Sequence, residues 1–455
     1  MGYKKKNSSF IGLFLTVVVV VGALYVYFSS TFERNAPEIN LENNGYWNLK
    51  TPLQLSISDD SGLRSYKITL KTSKGETTLA YEQFTTSKNL VNLEVTPPRM
   101  SYGMKDKSIE ISIEAQDISK WNLLKGNSAK KVYILQVDKK KPQLNIVSNS
   151  YKISRGGSAL VIFKVSDDNL DEMYIEGNNK KHFKPQPFYK DGYFISLLAW
   201  PVMDSSFKAT VIAKDKAGNI SKSYIPLYLK SKNYRVSKIS LSDRFLKGKI
   251  ADLADEFAET QGVEGSLEQF KLINEDVRAK NEALIHEITS KVSDEKLRKF
   301  KITKMYPLKN AQVVARFGDH RKYYYDGEFI SEAYHLGLDL ASNAMAEIKP
   351  QNSAEVVFSD YNGLYGNMPV LSHGLGLYTI YGHCSSVKVS EGDEAHKGET
   401  IANTGKSGYA MGDHLHFGVL VQGIEVRPQE WMDKQWIKLN INDVIKNAKE
   451  IIERN

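Results

Sequence analysis

The chain has 455 residues, enough for two to four domains, and its one cysteine, Cys384, excludes an internal disulfide framework. A content of 41% hydrophobic and 25% charged residues belongs to a folded protein, not to a disordered or fibrous one. The net charge of +8 is scattered through strand-like segments without a clustered stripe, which argues against nucleic acid and for an anionic envelope polymer or membrane surface as partner.

Residues Phe10 to Phe28 form an almost unbroken apolar run, long enough to cross a bilayer as a helix. A transmembrane helix over 10–29 is therefore expected, after a short tail at 1–9 whose Lys4, Lys5 and Lys6 hold it in the cytoplasm. A cleaved signal peptide would have a shorter apolar core and a small-x-small site. Here Tyr25, Val26, Tyr27 and Phe28 carry the apolar character to the end, which favours an uncleaved anchor. On either reading the rest of the chain is exported.

From Pro37 to Lys230 the sequence repeats itself. Pro37-Glu38-Ile39-Asn40-Leu41 recurs as Pro142-Gln143-Leu144-Asn145-Ile146, and Ser58-Asp59-Asp60 as Ser166-Asp167-Asp168. Ala115-Gln116-Asp117 recurs as Ala213-Lys214-Asp215. Short alternating runs broken by Gly, Asn and Asp predict two tandem Ig-like β-sandwich modules, 37–138 and 139–235. The acidic pairs could serve as calcium ligands, but turn-forming aspartates account for them better. The modules are expected to space the chain or dock an envelope protein.

Between 242 and 300 the period changes. Leu246, Ile250, Leu253 and Phe257 fall on one helical face, and Phe270, Ile273, Val277, Leu284 and Ile288 on another. Ser242-Asp243 offers a cap for the first, Ser266 to Gln269 a near capping box for the second, and Gly262 and Gly265 break between them. A helical hairpin is expected, as a spacer or as a restraint on the C-terminal segment. Residues 440–455 read as an amphipathic terminal helix.

The segment 305–435 carries the chemistry. Tyr334-His335-Leu336-Gly337-Leu338-Asp339-Leu340 puts His335, Gly337 and Asp339 on one face of an extended segment and the leucines on the other. Asp413-His414-Leu415-His416-Phe417 does the same for His414 and His416, which at this spacing belong on a strand. Two imidazoles and a carboxylate bind zinc and leave a fourth position for water, which the metal activates. One histidine of the final pair would complete such a site and the other would be free for proton handling. His383, in Tyr381-Gly382-His383-Cys384, is a further acid/base candidate, and Cys384 reads as a small buried residue.

The runs H-L-G-L-D, H-G-L-G-L-Y-T-I-Y-G-H-C-S and G-D-H-L-H-F resemble the LytM/lysostaphin-type zinc endopeptidases, over Pro307 to Trp431. The resemblance implies zinc bound by His335, Asp339 and His416, with His383 and His414 as the non-ligand catalytic histidines. A family tyrosine that assists the transition state falls in Tyr323-Tyr324-Tyr325, of which Tyr325 is taken here. Ala395, Ala402-Asn403 and Lys406-Ser407 depart from the usual wording, at packing and turn positions.

The expected protein is thus mainly β with α: one transmembrane helix, two Ig-like sandwiches, a helical hairpin and an antiparallel-sheet peptidase. The apolar run is expected to hold the chain in the inner membrane with the catalytic domain in the periplasm, and the resemblance implies that this domain hydrolyses peptidoglycan peptides. The alternatives are a non-catalytic LytM-like activator of another wall hydrolase, which would hold no zinc, and an Ig-like adhesin.

Overall fold

The computed structural model describes residues 8–99 and 103–454. Lys4, Lys5 and Lys6 of the expected tail lie outside the described residues. The first helix, Ser8–Phe28, has 21 residues and so spans about 31 Å. Its Phe10–Phe28 part is long and apolar enough to cross a membrane, and none of it is buried.

The chain divides into two compact units. The first comprises Met1–Pro142 with Asp167–Asp171 and Lys214–Ile220; the second comprises Gln143–Ser166, Glu172–Ala213 and Ser221–Asn455.

In the first unit the strands run in the order Glu38–Glu42, Leu53–Thr72, Ser108–Asp117, Ser128–Val137, Tyr46–Trp47, with Gly75–Val95 also paired to Leu53–Thr72. Alternation explains the core. Ile109, Ile111 and Ile113 are buried on one face of their strand and join Ile39, Ile57, Ile68 and Trp47. The acidic residues of the repeat meet in space: Glu33, Asp59 and Asp117 form one trio and Asp138, Asp167 and Asp215 another. Local hydrogen bonds occupy the aspartates, as turn chemistry requires. Asp117 accepts from the amides of Ser119 and Asn127, and Asp215 from that of Asn219.

In the second unit a four-stranded sheet runs Gln186–Pro187, Tyr193–Ala199, Ser158–Ser166, Gln143–Asn149. An eight-stranded sheet carries the motif residues, in the order Gln312–Ala315, Leu338–Ala341, Leu415–Val421, Leu377–Gly382, Asn367–Ser372, Ala354–Tyr361, Glu394–Ala395, with Ile424–Val426 beside Leu415–Val421. A third sheet joins Val236–Ser240 in parallel to His320–Tyr325, which pairs in turn with Glu328–Tyr334. The segment that leaves the second repeat therefore becomes a strand beside the motif residues.

The second repeat is sewn onto this sheet system by buried polar contacts. The Ser158 amide donates to Glu430 Oε2 at 3.0 Å, and Trp431 Nε1 donates to Ser158 Oγ at 3.1 Å. The terminal helix Asp443–Arg454 buries Val444, Ile445, Ala448 and Ile452, as its amphipathic pattern requires.

Two helical stretches, 243–256 and 266–289, come after the third sheet's first strand. Ser242 caps the first, accepting from the Phe245 amide at 3.3 Å. The second starts from Gly265 without a side-chain cap, so the Ser266–Gln269 capping box does not form. Leu246, Ile250, Leu253, Phe270, Ile273 and Val277 are buried as the spacing predicts. Leu284 is not: it is 38% exposed, while Ile285 is fully buried. The cause is a π turn at Ile273–Val277, which winds wider than an α turn and shifts the buried line beyond it.

Burial pushes two carboxyls here up to about 7, Glu282 on the second helix and Glu430 at the seam. A carboxyl whose folded pKa is raised contributes stability below its unfolded pKa and loses it as pH rises toward the folded one. Glu282→Gln is expected to raise the thermal unfolding midpoint at pH 8, by the equivalent of at most about 3 kcal/mol, and to change it little at pH 4. Equal shifts at both pH values would contradict the burial effect.

Candidate active site

Register alone aligns the central residues. In the antiparallel ladders Asp339 stands opposite His416, and His416 opposite Gly382. Three neighbouring strands thus present Asp339, His416 and the start of the His383 turn in one row. His335 lies four residues before Asp339 and folds back, so that its Nε2 is 3.0 Å from Asp339 Oδ1 and 3.2 Å from His416 Nδ1. His416 Nδ1 is 2.9 Å from the same Oδ1. The three ligand atoms form a tight triangle, and all three residues are buried.

The surroundings set each ring. His335 Nδ1 lies 3.0 Å from the Arg316 carbonyl; donation there leaves the Nε2 lone pair facing the triangle. His383 Nδ1 and His414 Nδ1 each lie 2.8 Å from a carbonyl, of Ser407 and Gly412 respectively, so both turn Nε2 toward the cavity. His414 Nε2 is 3.8 Å from Asp339 Oδ2, and the His383 and His414 ring centroids are 4.8 Å apart. The backbone at His383 is left-handed, with φ of 65°, held by its amide donating to the Tyr365 carbonyl at 2.7 Å.

Burial opposes ionisation of Asp339, but the charge and hydrogen bonds of His335 and His416 outweigh it and hold the carboxyl well below its usual range. Burial, then the nearby His416 and His414, lowers His383 to about 3, so this imidazole is neutral. Burial pushes the Cys384 thiol up to about 12; Sγ donates to the Tyr381 carbonyl, and the thiol is no nucleophile.

His335, Asp339, His383, His414 and His416 border a cavity of about 650 Å³. Tyr325 is not on its wall: its hydroxyl donates to Asp243 at 2.8 Å, outside the cavity. Among the three consecutive tyrosines it is Tyr323 that lines it, so the choice of Tyr325 is corrected. The strand pairing slips between Tyr323 and Tyr324, which separates the surroundings of 323 and 325 despite their shared parity. Phe245, Arg278, Arg321 and Tyr409 also line the cavity. Neither period nor motif singled them out, because the fold brings them from separate segments.

The profile of Peptidase family M23 matches residues 333–428. These residues are an M23 domain. The DD-carboxypeptidase/endopeptidase Mpg of Neisseria meningitidis is 31% identical over 94 residues, 21% of this chain and 22% of that protein. The murein hydrolase activator EnvC of Escherichia coli is 32% identical over 98 residues, 22% of this chain and 23% of that one. The chain thus spans less than a quarter of these relatives' length. The crystal structure of an M23-assigned protein from Pseudomonas aeruginosa aligns over 62% of this chain and 95% of its own, with 16% identity and a TM-score of 0.39.

Within the M23 domain the role of Gly337 is steric. A Cβ there would stand 2.4 Å from both Cε1 and Nε2 of His416, so only glycine lets the ring enter the triangle. A metal ion held by the triangle would be retained on dialysis at least about ten-fold less well in Gly337→Ala, with the circular dichroism of the chain unchanged. Equal retention in the two chains would show that His416 is not fixed by this contact.

Proposed function

We propose that this chain is a membrane-anchored zinc endopeptidase that hydrolyses the cross-linking peptides of peptidoglycan during wall remodelling, with His335, Asp339 and His416 as ligands. The observation that carries this reading is the triangle of three donor atoms beside two further imidazoles on one cavity. Tetrahedral ligands about 2.0–2.1 Å from a zinc ion stand roughly 3.3 Å apart, close to the 2.9–3.2 Å separations here. The donor set, two imidazoles and one carboxylate, suits zinc with an open position.

Zinc bound there supplies Lewis acidity toward the scissile carbonyl and lowers the pKa of water. The chain's own residues do the rest. His335 and Asp339 fix the ligand geometry, with the Arg316 carbonyl orienting the first imidazole. Neutral His383, its Nδ1 proton committed to the Ser407 carbonyl, offers Nε2 as a hydrogen-bond acceptor that orients the attacking water. His414, its Nδ1 proton held by the Gly412 carbonyl, presents Nε2 on the same wall, where it takes the proton of the attacking water and returns it to the leaving amine. Tyr323 replaces Tyr325 as the tyrosine within reach of the cavity. The anchor is the Phe10–Phe28 helix, which would hold the enzyme in the inner membrane with the M23 domain in the periplasm. The two repeats are proposed as Ig-like spacers that keep the M23 domain at the depth of the wall, with docking to an envelope protein as their second use.

The likeness to EnvC raises a second reading, an activator of another hydrolase. The presence of all five polar residues around one cavity favours catalysis.

The purified chain is expected to bind one zinc and to convert dimeric muropeptides into monomers, followed by chromatography. His335→Ala, Asp339→Ala and His416→Ala should each lose the metal and the activity. Zinc binding without turnover, or no zinc at all, would support the activator reading.

His383→Ala and His414→Ala should retain zinc while turnover falls by about two to four orders of magnitude. Metal loss from either variant would mean that ligand and catalyst have been exchanged.

A further inference from the structure

The cavity lined by the histidines is also lined by the Arg321 guanidinium, whose ion pair among the described residues is a long one, to Asp319. Arg321 lies on the strand His320–Tyr325, paired in register with Ala333. Ala333 in turn is two residues from His335, about 7 Å along an extended strand. Arg321 and His335 line the same cavity. The Arg321 side chain is 26% exposed, enough for a ligand to reach it and little enough to strengthen its field.

Its fork is free. The carboxylate beside it, Asp319, comes only to 3.7 Å of Nε, and Asp319 Oδ1 already accepts from Ser237 Oγ at 2.7 Å. Among the described residues the two terminal nitrogens of Arg321 make no hydrogen bond. The cavity's own carboxylates are taken: Asp339 by His335 and His416, and Asp413 by the Thr404 hydroxyl and the Met345 amide.

A second guanidinium stands nearby. Arg278 is held by the Asn274 carbonyl and side-chain oxygen and lies 5.9 Å from the Tyr409 ring centroid. Its nitrogens are partly committed, so it adds field more than contacts. Both arginines act electrostatically on the buried Tyr409 hydroxyl, as Tyr323 does. Two cations and two phenols thus line the same cavity as the zinc-ligand triangle.

We propose that Arg321, supported by Arg278, is a specificity-determining residue that binds a free carboxylate of the peptide substrate close to the scissile bond. A planar fork with two unused nitrogens is matched by a carboxylate, which can take both at once. In a peptide groove the anion that arrives with the substrate is a main-chain or side-chain carboxylate. This inference rests on the peptidase reading and adds the substrate class to it: acidic peptides, with their amides excluded.

The test uses the full chain and two muropeptide dimers that differ only in whether the peptide carboxyls are free or amidated. The unaltered chain is expected to lose about ten- to a hundred-fold in kcat/KM on the amidated dimer, mostly through KM. Arg321→Ala should lose as much on the free acid and nothing more on the amide, and Arg321→Lys should recover part of the preference. Equal rates on acid and amide, or an Arg321→Ala loss that is the same for both, would overturn the proposal while leaving the peptidase reading intact. If neither dimer is cut, the peptidase reading fails, and calorimetry still decides the carboxylate site. A free-acid peptide should bind more tightly than its amide, and Arg321→Ala should abolish the difference. A preference that persists in Arg321→Ala, or none in the unaltered chain, refutes it.

Discussion

The second unit depends on one alignment, the antiparallel register that sets Asp339 opposite His416. A strand slip of one residue would turn His416 to the far face and put Leu415 or Phe417 in its place. The apolar residues prevent it. Leu338, Leu340, Leu415 and Phe417 are all buried behind the polar row, so the hydrophobic face locks the register that the chemistry needs. The glycines then allow close approach: Gly337 opens room for the His416 ring, and Gly382 lets the adjoining strand pass its Cβ.

Much of this was legible in the sequence because it is written with period two. His335, Asp339, His414 and His416 lie within short motifs whose alternation is read directly, and His383 follows from the turn after an alternating strand. The likeness to the M23 family then distributes roles that spacing leaves open, such as which histidine of the last pair faces the triangle. The helical stretches were also legible, up to the π turn at Ile273–Val277. One wider turn moves the buried line from Leu284 to Ile285, and no propensity in that segment announces it.

The rest of the cavity was hidden from sequence reasoning. Arg321 and Tyr323 occupy a strand that reads as polar surface, and Tyr409 sits in a loop after Gly408. Their common wall exists only because Val236–Ser240 adds itself to the His320–Tyr325 strand and carries the helices after it. Tyr325 fails for the same reason. Its parity matches that of Tyr323, but the pairing slips between them, and Asp243 from the first helix takes its hydroxyl.

The helices grip the M23 domain at its loops. Asn281 Oδ1 accepts from the Leu364 amide at 2.8 Å, Asn362 donates to the Asn281 carbonyl at 3.2 Å, and Phe245 stacks on Tyr409 with ring centroids 6.1 Å apart. The chain after Leu364 leads directly to Tyr365, whose carbonyl holds the His383 backbone. The matched domain boundary at residue 333 therefore cuts through the groove and not beside it. Substitutions in the helical arm, outside the matched segment, can therefore reshape the groove wall while every motif residue stays unchanged.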